Sequence, residues 1–155
     1  MCVCVCVYVC VCVCYSVEDH FYNRAYYLID EALTWAEARD RCSEGDAGFL
    51  AEAKNVEQFD FLRGMYDKYL AQGGDVIGAW IDGKYDPDRK AWPCNSYFDF
   101  DAYYDDPCLK TMPLSTGEPS IVDTMRCVIV WWQKTDGVAN YRCDAKLPAI
   151  CATYR

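Results

Sequence analysis

Twelve cysteines in 155 residues constrain this chain more than any other feature, and they divide into two unlike sets. Cys2, Cys4, Cys6, Cys10, Cys12 and Cys14 alternate with valine in an N-terminal tract, while Cys42, Cys94, Cys108, Cys127, Cys143 and Cys151 are scattered through a sequence of ordinary globular composition. The second set is even in number and contains no C-x-x-C pair, which favours an oxidised domain with three bridges over a zinc site. A chain bridged in this way belongs in the secretory pathway and outside the cell. Cys42 falls on a predicted helix with no close neighbour to pair with, so its natural staple runs to the far end of the chain.

Period-two alternation normally marks a strand with one buried and one wet face. In residues 1–16 both alternating types are apolar, and Cys/Val alternation is what a TG dinucleotide repeat encodes, TGT and GTG being successive codons of one tract. The tract is accordingly read as repeat-derived or leader-like and outside the fold, with residues 17–155 as a single domain. Its apolar length matches the h-region of a secretory signal, about 7 to 15 residues, although no Lys or Arg follows Met1. No later run reaches the roughly 18 apolar residues of a membrane span. A net charge of −9 without any Lys/Arg cluster argues against a nucleic-acid partner.

Along the domain, residues 21–29 are aromatic and β-branched enough for a first strand. Thr34 and Glu37 form a Thr-x-x-Glu capping box, and the helix it opens turns Trp35, Ala38 and Cys42 inward. Gly45 and Gly48 break that helix before a short buried segment, Phe49-Leu50-Ala51. Asn55 and Gln58 open a second helix with an apolar stripe of Val56, Phe59, Leu62, Tyr66 and Leu70, closed by Gly73-Gly74. Residues 76–81 read as a strand ending in a turn at Asp82-Gly83. Residues 93–120 lose all periodicity, and an ordered loop of that length is usually functional. Cys94 and Cys108 bracket its acidic half and can close a loop of about 15 residues, worth about 3 kcal/mol in the chain-entropy model. Strands resume over 127–132, turn at Asp136-Gly137, return over 141–143 and finish over 149–153. Trp80, Trp92, Trp131 and Trp132 are read as core and strand residues. Two helices early and short strands late describe an α+β domain.

In this order the residues resemble the C-type lectin-like domain, in the form of a secreted invertebrate-type C-type lectin. The helix Trp35-Ala36-Glu37-Ala38-Arg39-Asp40-Arg41-Cys42 resembles that family's first helix with its first framework cysteine. Gly48-Phe49-Leu50-Ala51 matches the following Leu-Ala segment, and Ala79-Trp80-Ile81-Asp82-Gly83 is similar to the Trp-Ile-Gly hallmark with Asp82 in place of glycine. The resemblance covers about residues 21–155. It implies bridges Cys42 to Cys151 and Cys127 to Cys143, beside the Cys94–Cys108 pair, and a double-loop fold whose long loop carries ligand recognition.

In sugar-binding members a Ca²⁺ ion accepts two vicinal sugar hydroxyls, with Glu-Pro-Asn selecting mannose-type and Gln-Pro-Asp galactose-type geometry. Such an ion takes about six to eight oxygen ligands, so several carboxylates and amides must converge on it. Here Glu118-Pro119-Ser120 stands in place of the triplet, Met125 occupies a position where an acid is expected, and Val138-Ala139-Asn140 replaces Trp-Asn-Asp. The implied ligand-binding set is Glu118, Pro119, Ser120, Asp123 and Asn140. Glu118, Ser120 and Asn140 are the metal ligands that remain, and Asp123 is a candidate replacement. A site stripped of most of its carboxylates should hold Ca²⁺ weakly.

His20 is the single histidine and stands outside any catalytic constellation, so the chain reads as a binding module and not an enzyme. The expected function is a secreted carbohydrate-recognition module with a degenerate Ca²⁺-dependent sugar site, taking a glycan or glycoprotein as in innate immunity. The alternative is a Ca²⁺-independent module that binds protein or mineral through the acidic loop, with Asp99, Asp101, Asp105, Asp106 and the intervening tyrosines.

Overall fold

The computed structural model describes residues 2–6, 10–14, 17–44, 48–74, 77–84, 113–118 and 124–154, the first two segments as backbone. Strands β1 (Cys2–Cys6) and β2 (Cys10–Cys14) pair antiparallel in a sheet of their own. The other strands form one seven-stranded sheet.

That sheet begins differently from the sequence expectation. In place of one strand over 21–29 there is a hairpin, β3 (Val17–Phe21) against β4 (Arg24–Leu33), with Phe21 opposite Arg24 and Tyr22-Asn23 as its turn. Tyr22 takes φ +52, a left-handed conformation that favours glycine. An aromatic run conceals this turn, because only Asn23 carries ordinary turn chemistry.

Helix α1 (Trp35–Cys42) starts at the expected capping box. The Glu37 N–H donates to Thr34 Oγ1 at 3.3 Å, and the Thr34 N–H donates to Glu37 Oε2 at 2.7 Å. Lys146 Nζ also donates to that carboxylate. Together the Lys146 ammonium and the Thr34 groups lower the Glu37 pKa from 4.5 to about 2. A carboxyl with a depressed folded-state pKa stabilises fully above its ordinary value and stops doing so as pH falls through the folded one. Thermal melts of wild type and Glu37→Gln are therefore expected to converge as pH drops from about 4.5 to about 2; curves that stay parallel would show that the cap is not coupled to folding.

β5 (Gly48–Leu50) leads to α2 (Val56–Ala71), capped by Asn55, whose Oδ1 accepts the Gln58 N–H at 2.9 Å. The buried face of α2 is Phe59, Leu62, Met65, Tyr66 and Tyr69. Its centre lies roughly a third of a turn from Val56, which is exposed, and Leu70 is only partly covered. Tyr69 can face inward because its hydroxyl reaches Asp30 Oδ1 at 2.6 Å.

β6 (Gly78–Lys84) also departs from expectation. Asp82-Gly83 is not a turn but an irregularity inside the strand, where the register against β7 (Cys127–Trp131) shifts between Trp80 and Lys84 and Gly83 takes φ +135. Asp82 is buried there, its N–H donating to the Ala51 carbonyl at 2.7 Å. A glycine bulge and a tight turn share the same residue types, so sequence alone does not separate them.

With β8 (Ala139–Tyr141) and β9 (Leu147–Tyr154) the sheet order is β3-β4-β9-β6-β7-β8, and β5 also pairs with β9. Among the strands of the described residues, β6 and β9 pair parallel and the other pairs are antiparallel. Alternate residues of the central strands serve two cores. Tyr26, Leu28, Val128, Val130 and Ile150 pack with α2, while Ile29, Ile129, Leu147 and Ala149 pack with Trp35, Ala38 and Trp80. A sheet covered on both faces explains the unbroken apolar run of β7.

Two bridges lock this arrangement, Cys42–Cys151 with Cα atoms 5.3 Å apart and Cys127–Cys143 at 5.1 Å. Both are the pairs that the resemblance implies; the Cys94–Cys108 pair and Trp92 lie outside the described residues. Trp80 is fully buried and Trp131 half-buried, but Trp132 is exposed because it begins the turn after β7. Among the described residues no helix is long and apolar enough to cross a membrane.

Candidate functional site

Glu118 sits at the end of a short segment, 113–118, held against the turn between β7 and β8. Leu114 bridges Val138 in parallel. The Ser115 N–H donates to the Val138 carbonyl at 3.0 Å, and the Val138 N–H returns a bond to the Pro113 carbonyl at 2.9 Å. Gly137 makes this approach possible, since a Cβ there would fall on the Pro113 carbonyl and the Leu114–Ser115 peptide.

Asp136 is the clamp. Its carboxylate accepts the Ser115 hydroxyl, the Thr116 hydroxyl at 2.6 Å and the Thr116 N–H at 2.9 Å. The two hydroxyls and then the Thr116 N–H hold the Asp136 carboxyl well below the usual carboxylate range. Lys134 Nζ adds a bond to the Thr116 carbonyl at 3.0 Å. A final turn, with the Glu118 N–H donating to the Ser115 carbonyl at 3.0 Å, sets the backbone that carries the Glu118 carboxylate.

The turn is also fixed by α2, whose core Val138 and Leu114 share. Arg63 of α2 donates to the carbonyls of Trp131 at 2.8 Å, Lys134 at 3.0 Å and Trp132 at 3.1 Å, and pairs with Asp67 at 2.9 Å. A rigid scaffold of this kind is what a ligand-presenting loop needs. Asp136→Ala is expected to release residues 113–118, seen as faster hydrogen exchange at the Thr116 amide, and Gly137→Ala should do the same by collision. Unchanged protection in both variants would mean that the segment is held elsewhere.

Asn140 is buried in β8 opposite Val128, and its Nδ2 donates to the Met125 carbonyl at 2.7 Å. The structure thus brings together two of the positions singled out in the sequence, but through an amide-to-backbone bond. Pro119, Ser120 and Asp123 lie outside the described residues. The described donors are one carboxylate, Glu118, and one neutral amide, Asn140, with Met125 where carboxylate would serve and Arg126 beside it. A hard cation that takes several charged oxygens is not fitted by that set. Among the residues with described side chains, no group of three or more His, Cys, Asp or Glu gathers.

Asp136, Ser115, Thr116 and Arg63 were not anticipated as supports of the site. The sequence marks Asp136-Gly137 only as a turn, and nothing local tells that its carboxylate reaches back to a segment 20 residues earlier.

Comparison with known proteins agrees with this architecture. No family model matches the chain. Rat lithostathine is 26% identical over 132 residues, covering 81% of this chain and 70% of that protein. The crystal structure of human lithostathine superposes with a TM-score of 0.71 at 19% identity, covering 92% of this chain and 91% of the other. The cow C-type carbohydrate-recognition domain of CD23, solved in the presence of a GlcNAc2Man3 oligosaccharide, gives 0.66 at 19% identity, with 92% and 96% covered. A calcium-independent type II antifreeze protein gives 0.67 at 19% identity, with 92% and 95% covered.

Proposed function

The chain has a C-type lectin-like fold, and from that premise we propose that it is a secreted carbohydrate-recognition module whose Ca²⁺-dependent sugar site has degenerated. The observation that carries this reading is the Asp136 clamp, which keeps the segment bearing Glu118 in a fixed geometry although acid is missing at Met125. Glu118, Pro119, Ser120, Asp123 and Asn140 form the proposed ligand face, and any Ca²⁺ would depend on Glu118, Ser120 and Asn140. A carbohydrate-recognition domain of the same fold, solved in the presence of an oligosaccharide, supports the substrate class. The framework bridges support an extracellular location, and a binding module needs no catalytic constellation.

A second reading is favoured by the calcium-independent antifreeze neighbour together with the thin donor set. In it the same fold binds protein or mineral without Ca²⁺, through Asp105 and Asp106. The two readings separate by mutation. Glu118→Ala is expected to weaken glycan binding at least tenfold, about 1.4 kcal/mol, while Asp105→Asn with Asp106→Asn leaves it unchanged. The reverse pattern would assign recognition to the acidic loop.

A further inference from the structure

The N-terminal ribbon carries an inference that does not depend on the ligand face. The register of β1 and β2 sets Cys2 opposite Cys14, Cys4 opposite Cys12 and Cys6 opposite Cys10, with Val3 opposite Val13 and Val5 opposite Val11. Alternate residues of a strand share a face, so the six cysteines occupy one face of the ribbon and the paired valines the other.

In an antiparallel ladder the pair type alternates from one residue to the next, so three cysteine pairs spaced two residues apart are all of the same type. Their Cα atoms are then about 4.5 or about 5.5 Å apart. Either value lies within the roughly 4.4 to 6.8 Å that a disulfide spans, and the framework bridges of the same chain stand at 5.3 and 5.1 Å. A slip of one residue would leave no cysteine opposite another.

We propose that the ribbon is a cross-strand disulfide ladder with rungs Cys2–Cys14, Cys4–Cys12 and Cys6–Cys10, a modification site separate from the framework bridges. Each rung forms one S–S bond from two S–H groups. Two protons and two electrons pass to a disulfide oxidant, either glutathione disulfide or the active-site disulfide of an oxidoreductase, which is reduced to two thiols. The ladder supplies what this ribbon otherwise lacks. A two-stranded hairpin alone is marginal in water, and this one is joined to no strand of the main sheet.

The test uses the full chain purified without reductant, alkylated with iodoacetamide and mapped by mass spectrometry without reduction. The expected result is no alkylated cysteine in residues 1–16 and a peptide lighter than its reduced form by six hydrogen atoms. Cys4→Ser should then expose a single thiol, at Cys12, and leave the other two rungs closed. Six alkylated cysteines, a tract linked to Cys94, Cys108 or another chain, or a free thiol anywhere but Cys12 in the variant would each overturn the ladder.

Discussion

Replacing Cys42 and Cys151 together by alanine is expected to destabilise the domain by about 2 to 5 kcal/mol, the usual range for losing a native bridge. The two residues are 109 apart in sequence. Loop-closure entropy grows with the logarithm of the loop, so closing about 100 residues contributes about 4.7 kcal/mol in the chain-entropy model. The bridge also lies in the core that α1 shares with β9, among Trp35, Leu50 and Ala149. Removing both sulfurs avoids a stray thiol and keeps the test on the cross-link. Cys127 and Cys143 are only 16 apart, so the same double replacement there should cost about 3 kcal/mol by the same model. Urea unfolding of the two variants checks both the size and the order. A Cys42/Cys151 variant as stable as wild type would mean that the long bridge is not a principal fastener.

Trp80→Ala is the second large effect expected, at least about 3 to 5 kcal/mol from the cavity. Trp80 is fully buried at the centre of β6, opposite Ile129 of β7 and Ala149 of β9. Its indole N–H donates to the Leu33 carbonyl at 2.7 Å, which ties β6 to the end of β4 just before α1. Losing the donor leaves that carbonyl without this partner, a further loss of about 1 to 3 kcal/mol where water cannot replace it. Trp80→Phe divides the contributions, since it removes the donor while leaving a much smaller cavity than alanine does. Denaturant unfolding should rank wild type above Trp80→Phe above Trp80→Ala. A loss below about 1 kcal/mol for alanine would contradict the buried position.

Much of the fold was legible where local chemistry decides it. The Thr34/Glu37 box and the three-and-four spacing of Trp35, Ala38 and Cys42 define α1 and its inward face as observed. The reach of Cys42 to the far end of the chain was legible from its isolation on a helix, but the full set of framework pairs came through the family resemblance, since cysteine spacing alone permits other connections. Features set by long-range contact were not legible. The bulge at Asp82-Gly83 depends on Ala51 accepting the Asp82 N–H, and the inward turn of Tyr69 depends on Asp30. The Tyr22-Asn23 turn was hidden inside an aromatic run whose strand propensity outweighed it. At the site, Glu118 and Asn140 could be named from motif position, whereas Asp136 acts through a side chain folded back onto Ser115 and Thr116. Such a contact leaves no periodic trace in sequence.

Carbohydrate recognition without strong metal dependence is tested most directly by screening the oxidised chain against an array of glycans, in Ca²⁺ and again in chelator. The expected result is selective glycan binding that persists in chelator and falls with Glu118→Ala. Binding that disappears in chelator would contradict the degenerate site and mean that a working Ca²⁺ centre is assembled around Glu118. Absence of glycan binding in both conditions would contradict the carbohydrate reading itself and move recognition to the acidic loop.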